Sequence, residues 1–319
     1  MSEPGADTAL VTRVDFGGCA LVGDGGETLD AIVRAKLMGK KKSLGNTVVV
    51  GDRVTISREP AHVVVEAVEP RRNAFSRRAS GERAEEQVVA ANLDQVVMVA
   101  AIADPPFRPG LVDRVMAQAE HAGIPSRLVL NKIDLDGENE AKAILEAYRV
   151  AGITGNALCA KRGDGVEELR HACRGRRSLF VGHSGVGKST LLSALVPGLD
   201  LVAGDVNLKT GKGRHTTTAA VLFRTDDGLE LIDTPGVRTF GMWGIGARDL
   251  EQHYLEFRPF LGSCRFGDCR HLAEPGCALR GAVDSGAIAR RRWESFVKLR
   301  EELEQEQSLG ERRGSRGRL

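Results

Sequence analysis

Aromatic residues are scarce, 4% of 319 residues with two Trp and two Tyr, so stacking on nucleobases should play a limited part in any nucleic-acid contact. No stretch approaches the roughly 18 uninterrupted apolar residues of a membrane span, and no membrane partner is expected. The acidic start around Glu3 and Asp7 lacks the basic and then apolar pattern of a signal peptide; the expected location is the cytoplasm. A formal net charge of only +2 neither demands nor excludes nucleic acid, which leaves local charge runs to decide. Cysteine is sparse as well. Cys19, Cys159 and Cys173 are scattered through apolar or helical patterns, whereas Cys264, Cys269 and Cys277 crowd together, and in a reducing compartment such crowding suggests metal before disulfide.

What is present divides into three segments. Over 1–70, five short runs rich in Val, Thr and Ile (9–14, 19–22, 28–37, 53–57 and 62–68) are separated by glycine-rich or charged turns. They fit a small barrel of the OB type, with an SH3-like barrel as the alternative. A linker over 70–81 carries Arg71, Arg72, Arg77 and Arg78. Over 71–242, apolar strands at 96–102, 127–130, 178–181 and 229–232 alternate with helices at 111–121, 138–150, 165–172 and 190–196. That alternation predicts a parallel sheet covered by helices, with ligands at the carboxyl ends of its strands. The last segment, 243–319, holds the Cys/His cluster, a charged helix at 287–306 and a basic tail from 310 that reads as disordered.

Gly182-His183-Ser184-Gly185-Val186-Gly187-Lys188-Ser189, followed by Thr190, matches a phosphate-binding loop between a strand and a helix. Its glycines let backbone amides curl round phosphates, Lys188 reaches the terminal phosphates, and Ser189 would offer its hydroxyl to Mg²⁺. Asn131-Lys132-Ile133-Asp134 directly follows a strand and resembles the N-K-x-D motif of GTPases. The Asp134 carboxylate can accept from both guanine donors, a pair that adenine cannot match. Cys159-Ala160-Lys161 resembles the Ser-Ala-Lys-like turn that GTPases hold against the base, where a small residue and a backbone amide would suffice. Asp233-Thr234-Pro235-Gly236 resembles D-x-x-G, in which the Asp holds Mg²⁺ through water and the Gly236 amide senses the γ-phosphate. Val237 stands where many GTPases place a water-orienting Gln. Intrinsic hydrolysis should then be slow, and His215, in the polar switch-like stretch 204–218, is the nearest candidate to orient water; a surface loop histidine is the alternative.

Cys264, Cys269, His271 and Cys277 supply three thiolates and an imidazole, the donor count of a closed structural Zn²⁺ site. The spacing is not that of a two-Cys, two-His finger, so buried free thiols remain the alternative. Arg34, Lys36, Lys40, Lys41 and Lys42 form an acid-free run, and Arg290, Arg291 and Arg292 a second basic cluster. Both suit phosphate-backbone binding or a solvated face.

N-K-I-D at 131 precedes the phosphate loop at 182 and D-T-P-G at 233, the reverse of the usual GTPase order, so the G domain is a circular permutation. With Val50-Gly51-Asp52-Arg53-Val54, Asn92-Leu93-Asp94-Gln95, Arg214-His215-Thr216-Thr217-Thr218 and the Cys/His cluster in the same order, the chain resembles the circularly permuted, ribosome-small-subunit-dependent GTPase A family of bacteria. The resemblance implies an N-terminal OB fold, a central permuted P-loop G domain and a C-terminal zinc domain with one structural zinc. It also implies a role in late maturation of the small ribosomal subunit, with rRNA contact and GTP hydrolysis stimulated by that subunit. A monomer is expected. From a different class, a regulatory GTP-binding module that recruits protein partners and turns over little would share the nucleotide motifs.

Overall fold

A computed structural model describes residues 7–15, 17–37, 46–79, 85–135, 138–196, 198–199, 220–237 and 239–316. Five strands, β1 (Asp7–Asp15), β2 (Gly18–Gly23), β3 (Thr28–Val33), β4 (Arg53–Arg58) and β5 (Val63–Val68), close in the order 1-2-3-5-4-1. β3 and β5 run parallel and the other pairs antiparallel; this is the OB arrangement, and the SH3-like alternative falls. Alternation drives the closure, because Cys19 and Leu21 of β2 turn inward with Ala9, Val11, Ala31, Val54 and Val65 into one core. β3 stops at Val33, short of the expected 37, where the chain winds into a 3-10 turn, Ala35–Leu37.

Over its described residues, 70–79, the expected linker is a structured joint. Arg71 grips the fully buried Asp52 at 2.8 and 2.9 Å, and the chain then forms a hairpin of β6 (Ala74–Arg78) and β7 (Glu86–Ala91). Gly51 has φ +90°, and a Cβ there would lie 2.2 Å from the Ala91 carbonyl oxygen; only glycine permits this approach. Its own carbonyl accepts from Asn92 Nδ2 and Arg177 Nη1, each at 3.0 Å. Asp94 accepts from the Arg72 guanidinium and the Arg177 amide, both at 2.7 Å. The V-G-D-R-V and N-L-D-Q motifs therefore bolt the barrel to the next domain.

That domain contains β8 (Gln95–Ala101), α1 (Pro109–His121), β9 (Ser126–Asn131), α2 (Glu138–Val150), β10 (Thr154–Ala157), α3 (Val166–Cys173), β11 (Arg177–Gly182), α4 (Lys188–Leu195), β12 (Val221–Arg224) and β13 (Glu230–Asp233). The sheet order is β10-β9-β8-β11-β13-β12, parallel as far as β13 with β12 antiparallel. β8 is buried at every position, as expected of a strand covered on both faces. From β8 the chain builds outward to β10, and from β11 it builds the other way. The β8/β11 boundary is therefore the switch point at which such sheets bind ligands. β12 also pairs with β1 at Val221 and Arg13, so the barrel and the α/β domain share one sheet.

The C-terminal region carries 3-10 turns at Leu250–His253 and Leu255–Phe260, then α5 (Ala278–Asp284) and α6 (Arg290–Arg316). α6 runs past the expected end at 306 and takes in most of the tail expected to be disordered, since its Glu, Gln and Arg are good helix formers and no proline interrupts them. Phe296, Leu299 and Leu303 of α6 share a core with Val115 and Met116 of α1, together with Tyr254 and Phe257.

Two basic clusters depart from expectation. Arg292 is 3% exposed and sits between the rings of Tyr148 and Tyr254, its guanidinium carbon 4.8 and 4.5 Å from their centroids. Its Nε donates to Glu256 at 2.7 Å and its Nη1 to Asp113; it is unavailable to a phosphate backbone, while Arg290 and Arg291 stay exposed. Arg34 pairs with Glu66 and, at 3.2 Å, with Glu59, so a run free of acids in sequence meets them across the strands. Lys40, Lys41 and Lys42 lie outside the described residues. Among the described residues no helix is long and apolar enough to cross a membrane.

Candidate nucleotide and metal sites

β11, buried from Ser178 onward, delivers the phosphate loop to the switch point. Gly185 and Gly187 take φ of +86° and +88°, and a Cβ on Gly187 would stand 2.4 Å from Asn131 Nδ2. Val186 is buried and anchors the loop, while Ser184, Gly185, Ser189 and Thr190 remain exposed at its rim. α4 begins at Lys188 with no side-chain cap, which leaves its first amides for phosphate oxygens. His183 places Nδ1 2.6 Å from the Ser184 carbonyl and Nε2 3.1 Å from Arg108 Nη1. Lys188 is 7% exposed, and its Nζ meets the Asp233 carboxylate and the Thr234 carbonyl. Burial raises the Asp233 pKa, against the lowering influence of Lys188.

The guanine motif is joined to this loop through one side chain. Asn131, at the end of β9, donates from Nδ2 to the Val186 carbonyl at 2.9 Å and accepts at Oδ1 from the Ala160 amide at 3.0 Å. A single buried amide thus fixes N-K-I-D, the phosphate loop and the Cys159–Lys161 turn relative to one another. Lys132, with φ +63°, reaches the Asp104 carbonyl, and the Ile133 amide lies 3.4 Å from the Leu158 carbonyl oxygen. Asp134 is exposed, and its pKa is lowered chiefly by a hydrogen bond from the Cys159 thiol, with Arg162 and Lys161 adding to the effect. Cys159 is buried and its amide bonds to the Asp164 carbonyl at 3.0 Å; Lys161 is exposed.

D-T-P-G closes on the same loop. Thr234 Oγ1 donates to the Phe180 carbonyl at 2.8 Å, and a Cβ on Gly236 would come within 3.2 Å of Ser184 Cα. The Val237 amide bonds to the Gly182 carbonyl at 3.0 Å while its side chain joins the core, so this position faces inward. His215 and the threonines beside it lie outside the described residues.

In the C-terminal region the donor atoms of Cys264, Cys269, His271 and Cys277 all lie within 4.8 Å of one another. His271 Nδ1 is 3.5 and 3.4 Å from the Sγ atoms of Cys264 and Cys277. A zinc tetrahedron with ordinary Zn–S and Zn–N bonds has S–N edges of about 3.5 Å, so these donors fit the ion. Burial pushes the Cys269 thiol up to about 12, and the Cys264 and Cys277 thiols add to the rise; three thiols so crowded need a cation to ionise together. The Ala278 amide donates to Cys264 Sγ at 3.3 Å.

Sequence reading missed four participants: Asp104, Asp113, Glu251 and Glu256. Asp113 carried a signal, being a carboxylate on the apolar face of α1 between Val112 and Val115. Glu251 and Glu256 lie in short 3-10 turns with no apolar period to mark a buried side.

Known proteins resemble this chain in sequence and in fold. The model of the RsgA GTPase family matches residues 68–243. The small ribosomal subunit biogenesis GTPase RsgA of Gemmatimonas aurantiaca is 41% identical over 300 residues, 93% of this chain and 97% of its own. The protein of that name from Chlorobaculum tepidum is 41% identical over 306 residues, 93% of this chain and 98% of its own. The crystal structure of YjeQ from Thermotoga maritima superposes with a TM-score of 0.73 at 29% identity, covering 93% of this chain and 98% of that one. YloQ, a circularly permuted GTPase, has the same fold, with a TM-score of 0.70 at 22% identity over 96% and 99% of the two chains. Likeness sustained through barrel, nucleotide domain and cysteine-rich end alike makes this chain a GTP-hydrolysing member of the RsgA GTPase family.

Proposed function

We propose that the chain binds and hydrolyses GTP in the cytoplasm during late maturation of the small ribosomal subunit, with rRNA contact and with turnover stimulated by the subunit. The observation that carries the guanine reading is the Asn131 bridge, which holds Asp134's loop and the phosphate loop in one register. Asp134 would read the two guanine donors. Lys188, the amides of 184–190 and Gly236 would hold the phosphates. Ser189, and Asp233 through a water, would hold Mg²⁺, which neutralises phosphate charge when bound. With Val237 turned into the core, His215 is the residue proposed to orient the attacking water. The Cys/His cluster would hold one structural zinc, and the chain would act as a monomer in three parts: the barrel 1–70, the G domain 71–242 and the zinc and helical domain 243–319. Exposed Arg290 and Arg291, not Arg292, are the C-terminal cations offered to rRNA phosphates.

The reading is tested by GTP turnover with and without purified small and large ribosomal subunits. Slow turnover alone, strong stimulation by the small subunit and none by the large one are expected. Tight subunit binding with a non-hydrolysable GTP analogue and weaker binding with GDP should accompany it, since linkage makes the coupling reciprocal. Equal subunit affinity for both nucleotide forms would rule out the switch.

A further inference from the structure

A carboxylate outside the metal cluster faces its only imidazole. His271 turns Nδ1 toward the thiols of Cys264 and Cys277, and its Nε2 lies 3.1 Å from Glu251 Oε2. We propose that Glu251 is the positioning residue of the zinc centre: it holds the His271 ring with Nδ1 toward the thiols, so that zinc binding and docking of the Leu250–His253 turn stabilise each other. This rests on the reading that the cluster holds zinc.

Three observations converge on it. An imidazole that donates from Nε2 to a carboxylate keeps its lone pair on Nδ1, the atom that faces the thiols, and carboxylate partners of this kind raise the basicity of histidine ligands. Rotating the ring by half a turn would swap each nitrogen for a carbon and forfeit both contacts. The main chain is held separately, because Trp293 Nε1 donates to the His271 carbonyl at 2.9 Å; Glu251 therefore acts on the ring rather than on the backbone. Glu251 is itself held by Arg300 Nη1 of α6 at 3.3 Å, and its neighbour Leu250 is fully buried in the core shared with α1. The chain of contacts runs from the cluster through His271 and Glu251 to the stretch that leaves D-T-P-G.

The full-length protein is purified with zinc and its metal content measured. Zinc release to a chromophoric chelator is then timed for the wild type, Glu251→Gln and Glu251→Ala, and each is melted both loaded and stripped of metal. Glu251→Ala should release zinc about ten- to a hundredfold faster, with Glu251→Gln between it and the wild type because its carbonyl still accepts from Nε2. Glu251→Ala should also lower the melting point of the loaded protein more than that of the stripped protein. Release at the wild-type rate, or equal losses in loaded and stripped forms, would show that Glu251 serves only Arg300 and would overturn the proposal. Zinc-free wild type overturns the zinc reading and this inference together; zinc-loaded wild type with unchanged release in the variants overturns this inference alone. If Glu251→Ala does not fold, the near-isosteric Glu251→Gln decides by its release rate.

Discussion

Replacing Arg292 by Met should cost much of the protein's stability, by an amount that grows with pH. The guanidinium is 3% exposed, and its two carboxylate partners, Asp113 and Glu256, have side chains 1% and 3% exposed. Methionine keeps most of the volume between the two tyrosine rings but leaves both carboxylates without a cation. Breaking a buried pair from one side costs about 3–5 kcal/mol. At about 2–4 °C per kcal/mol for cooperative units of 150–250 residues, that is a fall in melting temperature of about 6–20 °C. The pH sign follows from Asp113, whose pKa burial raises while Arg292 opposes the rise. A carboxyl with a raised folded pKa binds more protons folded than unfolded, so stability falls as pH rises from its unfolded value through its folded one. Without Arg292 the folded value climbs and the window extends upward. The variant should therefore lose more stability than the wild type between pH 5 and 8, as read by thermal unfolding at several pH values. Adding Asp113→Asn and Glu256→Gln should return much of the loss. A variant melting within about 2–4 °C of the wild type at pH 8, roughly 1 kcal/mol, or one with no added pH slope, would refute the account.

Asp134→Asn should weaken GTP about a hundredfold or more, two charge-assisted hydrogen bonds being worth about 1.5–3 kcal/mol each, and should favour xanthosine triphosphate; unchanged GTP affinity in an equilibrium titration would sink the guanine assignment. Lys188→Ala should abolish turnover, whereas Ser189→Ala should impair the magnesium dependence of binding more than affinity in chelator. Normal hydrolysis by both would mean the phosphate loop is misread. His215→Ala should cut subunit-stimulated turnover with little change in GTP binding, and wild-type turnover would assign the water to another group.

The nucleotide motifs were legible because each is local: glycines and a lysine at fixed offsets, and an acid directly after a strand. The barrel was legible as five strands of the OB type, but the choice against an SH3-like barrel was not, since it rests on the parallel pairing of β3 with β5, a contact between distant segments. Arg71 and Arg72 read as part of a linker because the acids that neutralise them, Asp52 and Asp94, lie about twenty residues away on either side. Arg292 misled for the same reason. Beside Arg290 and Arg291 it looks like one of three equivalent surface charges, and helical geometry alone turns it onto the face that packs against α1, where Asp113 waits 179 residues earlier in the chain. Glu251 illustrates the limit most sharply: it lies 20 residues before the histidine it contacts, and no spacing rule connects them.

The shared sheet also sets an order of events at synthesis. Arg13 of β1 pairs with Val221 of β12, and 208 residues separate them in the sequence (221 − 13). At about 5–20 residues per second, β12 is translated about 10–40 s after β1. Through that interval the barrel, whose five strands are complete by Val68, can close while the far end of β1 still offers unpaired backbone groups to any passing strand. That edge stays open to mispairing until β12 arrives. Destabilising β12, for instance by placing proline at Leu222, should release aggregation-prone chains that carry a folded barrel, a defect detectable as a protease-resistant N-terminal fragment in the pellet.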